Sequence, residues 1–320
     1  MRILADVPRY PPGCNAGAEW SVHVILRELV RRGHTAAAHV SEATGWSSID
    51  GVDVYGGVSP ERLDALYADA DVVVTHLGRT RPAMDRARAH QRPIVHLVHN
   101  HWQLGRHGVE PDENTLVVFC AAWLAKAAGW PGDAIVVHPP VPADDYRTVP
   151  GDRVTLLNLS EVKGGPLLFE LARRHPHRLF LGVVGGYGEQ LIPDAVPANV
   201  EIVPHTARVV ADVYRRTRVL LVPSRYEPWG RVAVEAACSG IPVVAHPAAG
   251  LREALGDAGI YCDRDHPRQW TDALDRLDDP AEWTRWSALA RARAEALDPT
   301  AHLDLLEREL FRLVSPGAHV

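Results

Sequence analysis

Lysine is almost missing from this chain: of its 34 basic residues only Lys126 and Lys163 are lysine. A flexible ammonium and a planar guanidinium are not interchangeable, so each of the two departs from an otherwise uniform arginine usage. Cysteine is also scarce. Cys14, Cys120, Cys238 and Cys262 lie far apart with no C-x-x-C pair, which argues against a zinc ribbon or a disulfide framework and fits the reduced thiols of a cytoplasmic protein. No apolar run approaches the roughly 18 residues of a membrane span, and MRILADVPRY has no signal-peptide core. The expectation is a cytoplasmic chain with no transmembrane segment, peripheral membrane contact staying open. Positive charge is not in excess either: 34 basic against 40 acidic residues leave a net charge of -6, and no nucleic acid is expected as a partner.

What is present is globular material, 46% hydrophobic and 23% charged over 320 residues, enough for two domains of about 150 residues. Short β-branched runs alternate with amphipathic stretches, the rhythm of parallel strands joined by crossover helices. Candidate strands in the first half are 2–7, 52–55, 71–76, 93–99, 115–120 and 134–138. A helix is expected from about Gly17 to Arg32, where Ala18, Val22, Ile25, Leu26 and Leu29 recur at helical spacing and Gly33 supplies a left-handed stop. The block HPPVPADDYRTVPG, 138–151, is rich in proline and turn formers and reads as a linker. Strands resume at 153–159, 178–184, 200–203, 218–224 and 241–246, each separated by a helix-length segment, and from His266 onward the chain reads as helices. Leu303, Leu306, Leu310 and Leu313 give the last helix an apolar stripe. The fold class is α/β, two doubly wound halves.

The stretch RYEPWGRVAVEAACSGIPVVAHPAAG, 225–250, carries the chemistry. Its helix begins near Trp229 or Gly230 directly after a strand, so the helix N-terminus lies at the carboxyl edge of a parallel sheet, where open α/β folds bind ligands. First-turn N–H groups favour an anion there, and a glycine lets a phosphate approach. Glu227 and Glu235 flank that opening. They would repel phosphate, but a carboxylate accepts hydrogen bonds from vicinal hydroxyls of a ribose or a hexose. One glutamate on either side of a pyrophosphate suits a nucleotide sugar, which has hydroxyls at both ends. Without such a ligand the two are a solvated loop residue and a solvated helix residue.

The pattern P-S-x-x-E-P-x-G-x-x-x-x-E-A-x-x-x-G-x-P-V-V, carried by 223–244, resembles the E-x7-E signature of the retaining GT-B glycosyltransferases of family 4, and PAAGLREAL after it resembles their glycine-rich continuation. The likeness extends over most of the chain and is strongest from about 154 to 262. It implies an N-terminal Rossmann-like acceptor-binding domain over 1–145 and a C-terminal Rossmann-like nucleotide-sugar-binding domain over 151–298. These would face each other across a cleft, with a last helix over 299–320 packing back on the first domain. It also implies that Glu235 holds the ribose, Glu227 the transferred sugar, and the N–H groups of Gly230, Arg231 and Val232 the donor phosphates. In NLSEVKGG, 158–165, Lys163 matches a phosphate-binding lysine, and Gly164 belongs to the same donor loop. The position of the family's phosphate-binding arginine falls near Asn158, so either Asn158 with Ser160, or Arg225 from elsewhere, takes that part. Read without the resemblance, Lys163 is a surface residue.

In PPGCNAGAEW, Ala16-Gly17 resembles the family's first glycine loop, and Gly17 would present N–H groups to the donor or simply permit a strand-to-helix turn. His99, ending its strand, matches a histidine near the transferred sugar; His76 is a second candidate, and either also reads as a satisfied wall histidine. His96, His99 and His101 have no adjoining carboxylate, and strand alternation turns His96 and His99 to opposite faces, so no metal is expected. GVVGGYGEQ, 182–190, lacks the G-x-G-x-x-G spacing and is taken as a second glycine loop beside the donor. PHTAR, 204–208, ends another strand, making His205 and Thr206 candidates for the base pocket.

The function expected is a retaining, metal-independent glycosyltransferase that needs no cofactor. It would take a nucleotide-diphosphate sugar as donor and a hydroxyl acceptor, with a small metabolite or natural-product intermediate the acceptor class favoured by the short first domain. The alternatives are a nucleotide-sugar epimerase of the same architecture, a non-catalytic nucleotide-sugar-binding protein and, last, a nicotinamide oxidoreductase.

Overall fold

A computed structural model describes residues 1–14 and 16–315. Asn15, inside the first glycine stretch, and 316–320, the end of the last expected segment, lie outside the described residues. The chain divides into two compact units, Met1–Pro140 together with the chain from Pro299 onward, and Val141–Asp298.

The described residues of the first unit form eight strands: β1 (Arg2–Val7), β2 (Thr35–Val40), β3 (Gly45–Ile49), β4 (Val52–Gly56), β5 (Val72–His76), β6 (Ile94–Val98), β7 (Thr115–Phe119) and β8 (Ala134–Val136), in the order β3-β4-β2-β1-β5-β6-β7-β8. All pairs are parallel except β3 with β4. Two of these strands escape the sequence reading. β2, TAAAHV, has three alanines and no β-branched run, yet it pairs in register with β1 from Arg2↔Thr35 to Val7↔Val40. Tertiary pairing overrides weak propensity there. β3 is an exposed edge strand with no apolar alternation to betray it. The helix Gly17–Arg31 buries Val22, Ile25, Leu26 and Leu29 on one face, and Gly33 follows it with φ +91°. The helix Thr300–Val314 belongs to this unit: Leu303, Leu306, Leu310 and Leu313 lie in the same core as Ile25, Leu26 and Leu29. Glu307 is tied to Arg32 at 2.8 Å and to His34 at 2.8 Å. Each buried leucine of that stripe contributes roughly 2 kcal/mol of apolar burial.

The second unit holds β9 (Arg153–Leu157), β10 (Phe180–Val183), β11 (Val200–Val203), β12 (Thr217–Val222), β13 (Val243–Ala245) and β14 (Gly259–Tyr261), all parallel, in the order β11-β10-β9-β12-β13-β14. Three corrections arise. β14, only three residues long, carries too little pattern to be read as a strand. The segment from β10 to β11 contains no helix, and between β11 and β12 there is only a four-residue turn of helix, Val209–Asp212, followed by a 3-10 turn. The block expected as a linker, 138–151, is packed structure from Val141 on, part of the second unit. Tyr146 is 3% exposed, its carbonyl accepts from Ser239 Oγ at 2.8 Å, and Thr148 N donates to Ser239 Oγ at 2.9 Å. Proline sets the local backbone there without preventing a side chain from docking.

Candidate active site

The second unit gathers the chemistry at the carboxyl ends of β9, β10 and β12. After β9 the chain turns at Asn158, which takes φ +69°, and a 3-10 turn over Glu161–Lys163 leads into the helix Gly165–Arg174. Ser160 O accepts from Lys163 N and Gly165 N, both at 3.1 Å. The two glycines are steric necessities. Gly164 has φ +88°, and a Cβ on it would run into Pro223, while one on Gly165 would overlap the Leu159 carbonyl. Pro223 opens the loop after β12, so this close approach brings Lys163 against Glu227, 64 residues on, in a direct ion pair between Nζ and Oε1. Burial works against the charge on Lys163, and the Glu227 carboxylate outweighs it, with Tyr187 also hydrogen-bonded, holding the ammonium above its usual range.

The glutamate loop is pinned from the other side. Gly250, opening the helix Ala249–Leu255, lies so close to the carbonyls of Glu227 and Pro228 that no side chain fits. Gly230 takes φ +85° as N-cap of the helix Arg231–Cys238, with a Cβ position only 2.5 Å from Leu251 Cδ2. The first intrahelical bond there is Ala233 N to Gly230 O at 3.0 Å, leaving the N–H groups of Gly230, Arg231 and Val232 ahead of the helical ladder, in the segment where helices accept anions.

The two glutamates are not alike. Glu227 faces Lys163. Glu235 lies inside the unit, one oxygen paired with Arg231 Nε at 2.7 Å and the other accepting from Tyr214 Oη at 2.5 Å. Arg231 in turn donates to Tyr146 Oη at 2.7 Å. Glu235, Arg231, Tyr214 and Tyr146 are all buried, so Glu235 supports the start of its own helix, with lone pairs left for a further donor.

Asn158 does not stand free for phosphate. Its Oδ1 accepts from Ser160 N and Gln190 Nε2, each at 3.1 Å, and its Nδ2 donates to Tyr187 O at 3.2 Å. Gln190 Oε1 accepts from Leu159 N and Gly185 N, each at 2.8 Å. The two amides thus bind the glycine loop after β10 to the loop after β9, and Gly185 leaves room for Asn158. Arg225 is likewise engaged, held by both oxygens of Asp265. Gln190, Tyr187 and Arg264 were not read from the sequence. Arg264 is 8% exposed and donates to Val162 O at 3.2 Å and to Glu161 Oε1 at 2.7 Å. Only the glycine loop itself pointed toward the first two. Thr206 donates to Asp212 Oδ2 at 2.6 Å and accepts from Arg208 N at 2.9 Å, a local turn bond, with His205 half-buried beside it after β11.

On the first unit, Gly17 is the exposed first residue of its helix. His99 follows β6; its backbone N donates to Gln103 Oε1 at 2.5 Å, and its Nε2 lies 3.2 Å from His76 Nδ1. Burial pushes His99 down to about 4 and the fully buried His76 well below its usual value, so the pair is neutral. His96 bonds Thr80 Oγ1 at 3.2 Å and is pushed down by burial to about 3. Among the described residues no cluster of three metal-ligating side chains occurs, and no helix is long and apolar enough to cross a membrane.

Two parallel-sheet units of this topology, joined at a proline-rich turn and followed by C-terminal helices, define the GT-B glycosyltransferase fold. The solved structure of Anabaena Alr3699/HepE in complex with UDP and glucose is similar at TM-score 0.77 and 17% identity, over 97% of this chain and 99% of that one. Sucrose-phosphate synthase from Thermosynechococcus elongatus is similar at TM-score 0.75 and 17% identity, over 98% of each. Within that fold, residues 158–279, which contain Asn158, Lys163, Glu227 and Glu235, match the family described as Glycosyl transferases group 1. Curated relatives include a D-inositol 3-phosphate glycosyltransferase of Frankia alni, 34% identical over 167 residues, 47% of this chain and 41% of that protein. Another, from Catenulispora acidiphila, is 29% identical over 204 residues, 55% of this chain and 49% of that protein. The chain matches these relatives over less than half of their length.

Proposed function

We propose that this protein is a retaining glycosyltransferase moving a hexosyl group from a nucleoside diphosphate sugar to a hydroxyl acceptor. The observation that carries the reading is the meeting of Lys163 and Glu227 at the mouth of the helix opened by Gly230, a cation and a carboxylate beside an anion-accepting helix start. The anomeric carbon–phosphate bond breaks as positive charge grows on the sugar and negative charge on the departing diphosphate. Fixed positive potential at the leaving oxygen lowers that barrier, and Lys163 with the first-turn N–H groups of 230–232 supplies it. Glu227 accepts hydrogen bonds from hydroxyls of the transferred sugar, and Glu235 accepts from the ribose through its remaining lone pairs. The acceptor oxygen attacks from the leaving-group face and its proton passes to the departing phosphate oxygen, so no side chain need become a covalent nucleophile. Protein groups carry the charge neutralisation in this scheme, without a metal ion. Neutral His99 is the first unit's candidate for bonding a substrate hydroxyl, and His205 with Thr206 for the base. UDP and glucose in the HepE complex, and UDP-glucose in a second HepE complex at TM-score 0.78, support a uridine nucleotide as the first donor to try.

A thermal-shift screen over UDP, GDP, TDP and ADP and their hexosyl esters tests the reading, since a specific ligand raises Tm by mass action. Product analysis with small hydroxylated acceptors then separates transfer from epimerisation and from binding without turnover. No Tm response to any of these nucleotides would end the proposal.

A further inference from the structure

Four cationic side chains on or beside these loops are each committed to a carboxylate: Lys163 to Glu227, Arg225 to Asp265, buried Arg264 to Glu161 and buried Arg231 to Glu235. Arg225 and Asp265 are exposed, Arg264 is held additionally by two backbone carbonyls, and Arg231 with Glu235 is locked inside the unit by Tyr146 and Tyr214, so the pair left to respond to a ligand at the helix opening is Lys163 with Glu227. A diphosphate arriving there competes with Glu227 for the Lys163 ammonium, and any charge it takes from that pair leaves the carboxylate less compensated. Glu227, 8% exposed, then faces an incoming anion with its counter-charge shared, an unfavourable position for a desolvated carboxylate. A hexosyl group supplies what the bare diphosphate lacks, hydroxyl donors that satisfy the released carboxylate.

We infer that the Lys163–Glu227 ion pair is a specificity device that couples recognition of the two halves of the donor, so that the intact nucleotide sugar splits the pair at little cost while the nucleoside diphosphate alone does not. The inference rests on the donor reading above. The geometry is suited to it: the backbone on both sides is locked by Gly164, Gly165 and Gly250, so the exchange is confined to two side chains. After transfer the sugar hydroxyls leave Glu227, the pair closes again, and the diphosphate loses its cation. The device therefore favours entry of donor and exit of by-product at the same site.

The test takes whichever of UDP, GDP, TDP and ADP raises the Tm of the full chain most, together with its ester (UDP-glucose, GDP-mannose, TDP-glucose or ADP-glucose). Both are titrated calorimetrically into the wild type, Glu227→Gln, and the double variant Lys163→Gln/Glu227→Gln. Glu227→Gln keeps the side chain's shape and frees Lys163. It should bind the diphosphate about tenfold more tightly than the wild type does, and the preference for the sugar ester should shrink by a similar factor. The double variant should lose that gain. Diphosphate binding that is unchanged or weaker in Glu227→Gln overturns the coupling and leaves the donor reading standing; a wild type that binds no nucleotide overturns both. The wild type offers a second measurement should the variant not fold. With only two lysines in the chain, its 15Nζ-lysine spectrum has two signals, assigned by Lys126→Arg. The Lys163 signal should move further with the sugar ester than with the diphosphate at equal occupancy, and equal movement refutes the coupling.

Discussion

Replacing Lys163 with methionine keeps most of the apolar stem and deletes the charge, which separates two consequences that the site joins. The first is structural. The side chains of Lys163 and Glu227 are 17% and 10% exposed, between an exposed ion pair worth under about 1 kcal/mol and a fully buried one whose breakage costs about 3–5 kcal/mol, so a loss of roughly 2 kcal/mol is expected. For a unit of this size that lowers Tm by about 4–8 °C. The sign of its pH dependence follows from the raised lysine value. A cation held above its unfolded value contributes fully below about pH 10 and loses the contribution only as pH rises through the folded value, so the stability gap between variant and wild type should stay flat from about pH 6 to 9. The second consequence is catalytic: on the proposed function Lys163 faces the leaving group, and losing that charge should lower kcat by about 10²- to 10³-fold, roughly 3–4 kcal/mol in the barrier. Urea denaturation and a nucleotide-release assay on the same preparation read both. A folded Lys163→Met enzyme turning over within about threefold of wild type would place the departing phosphate elsewhere.

Glu235→Ala should be costlier to the fold, because it strands the buried Arg231 guanidinium and the Tyr214 hydroxyl; about 3–5 kcal/mol is expected, and a Tm within 2 °C or so of wild type would contradict the network's role. Gly164→Ala adds a left-handed strain to a collision with Pro223, so a loss of about 1–3 kcal/mol with weakened nucleotide binding should appear in denaturation and titration, and an unaltered variant would mean the two loops are not held by that contact. His99 is pushed down to about 4 and His96 to about 3 by burial. The folded chain then binds fewer protons than the unfolded one below the unfolded histidine value of about 6.5, and stability should fall as pH drops from 6.5 toward 5, ahead of carboxylate titration. A urea midpoint that stays constant over that window would refute neutral buried histidines; His96→Gln should flatten the fall.

Much of the second unit was legible because local chemistry and tertiary role coincide there. Glycine, proline and glutamate at 223–250 carry information that one strand-to-helix connection needs, and the scarcity of lysine sets Lys163 apart in the sequence alone. The misses share a cause. β2 is alanine-rich and β14 is three residues long, so neither carries a periodic signal, and both exist because a neighbouring parallel strand offers a ladder to join. Tyr146 sits among prolines that read as a linker, and its docking on Ser239 and Arg231 is a contact between distant segments that no local pattern encodes.

The sequence by itself determined the α/β rhythm, the helix opening at Gly230, and the kinds of group available beside it, because turn chemistry, periodicity and side-chain charge are properties of short segments. Only the tertiary structure decided which of those groups meet. It set Lys163 on Glu227, turned Glu235 inward to Arg231 and Tyr214, and spent Asn158 and Gln190 on tying two loops together. Those choices depend on backbone approaches at Gly164, Gly165, Gly185 and Gly250 between residues far apart along the chain, and a contact of that kind is set by packing of the whole unit and not by neighbours in sequence.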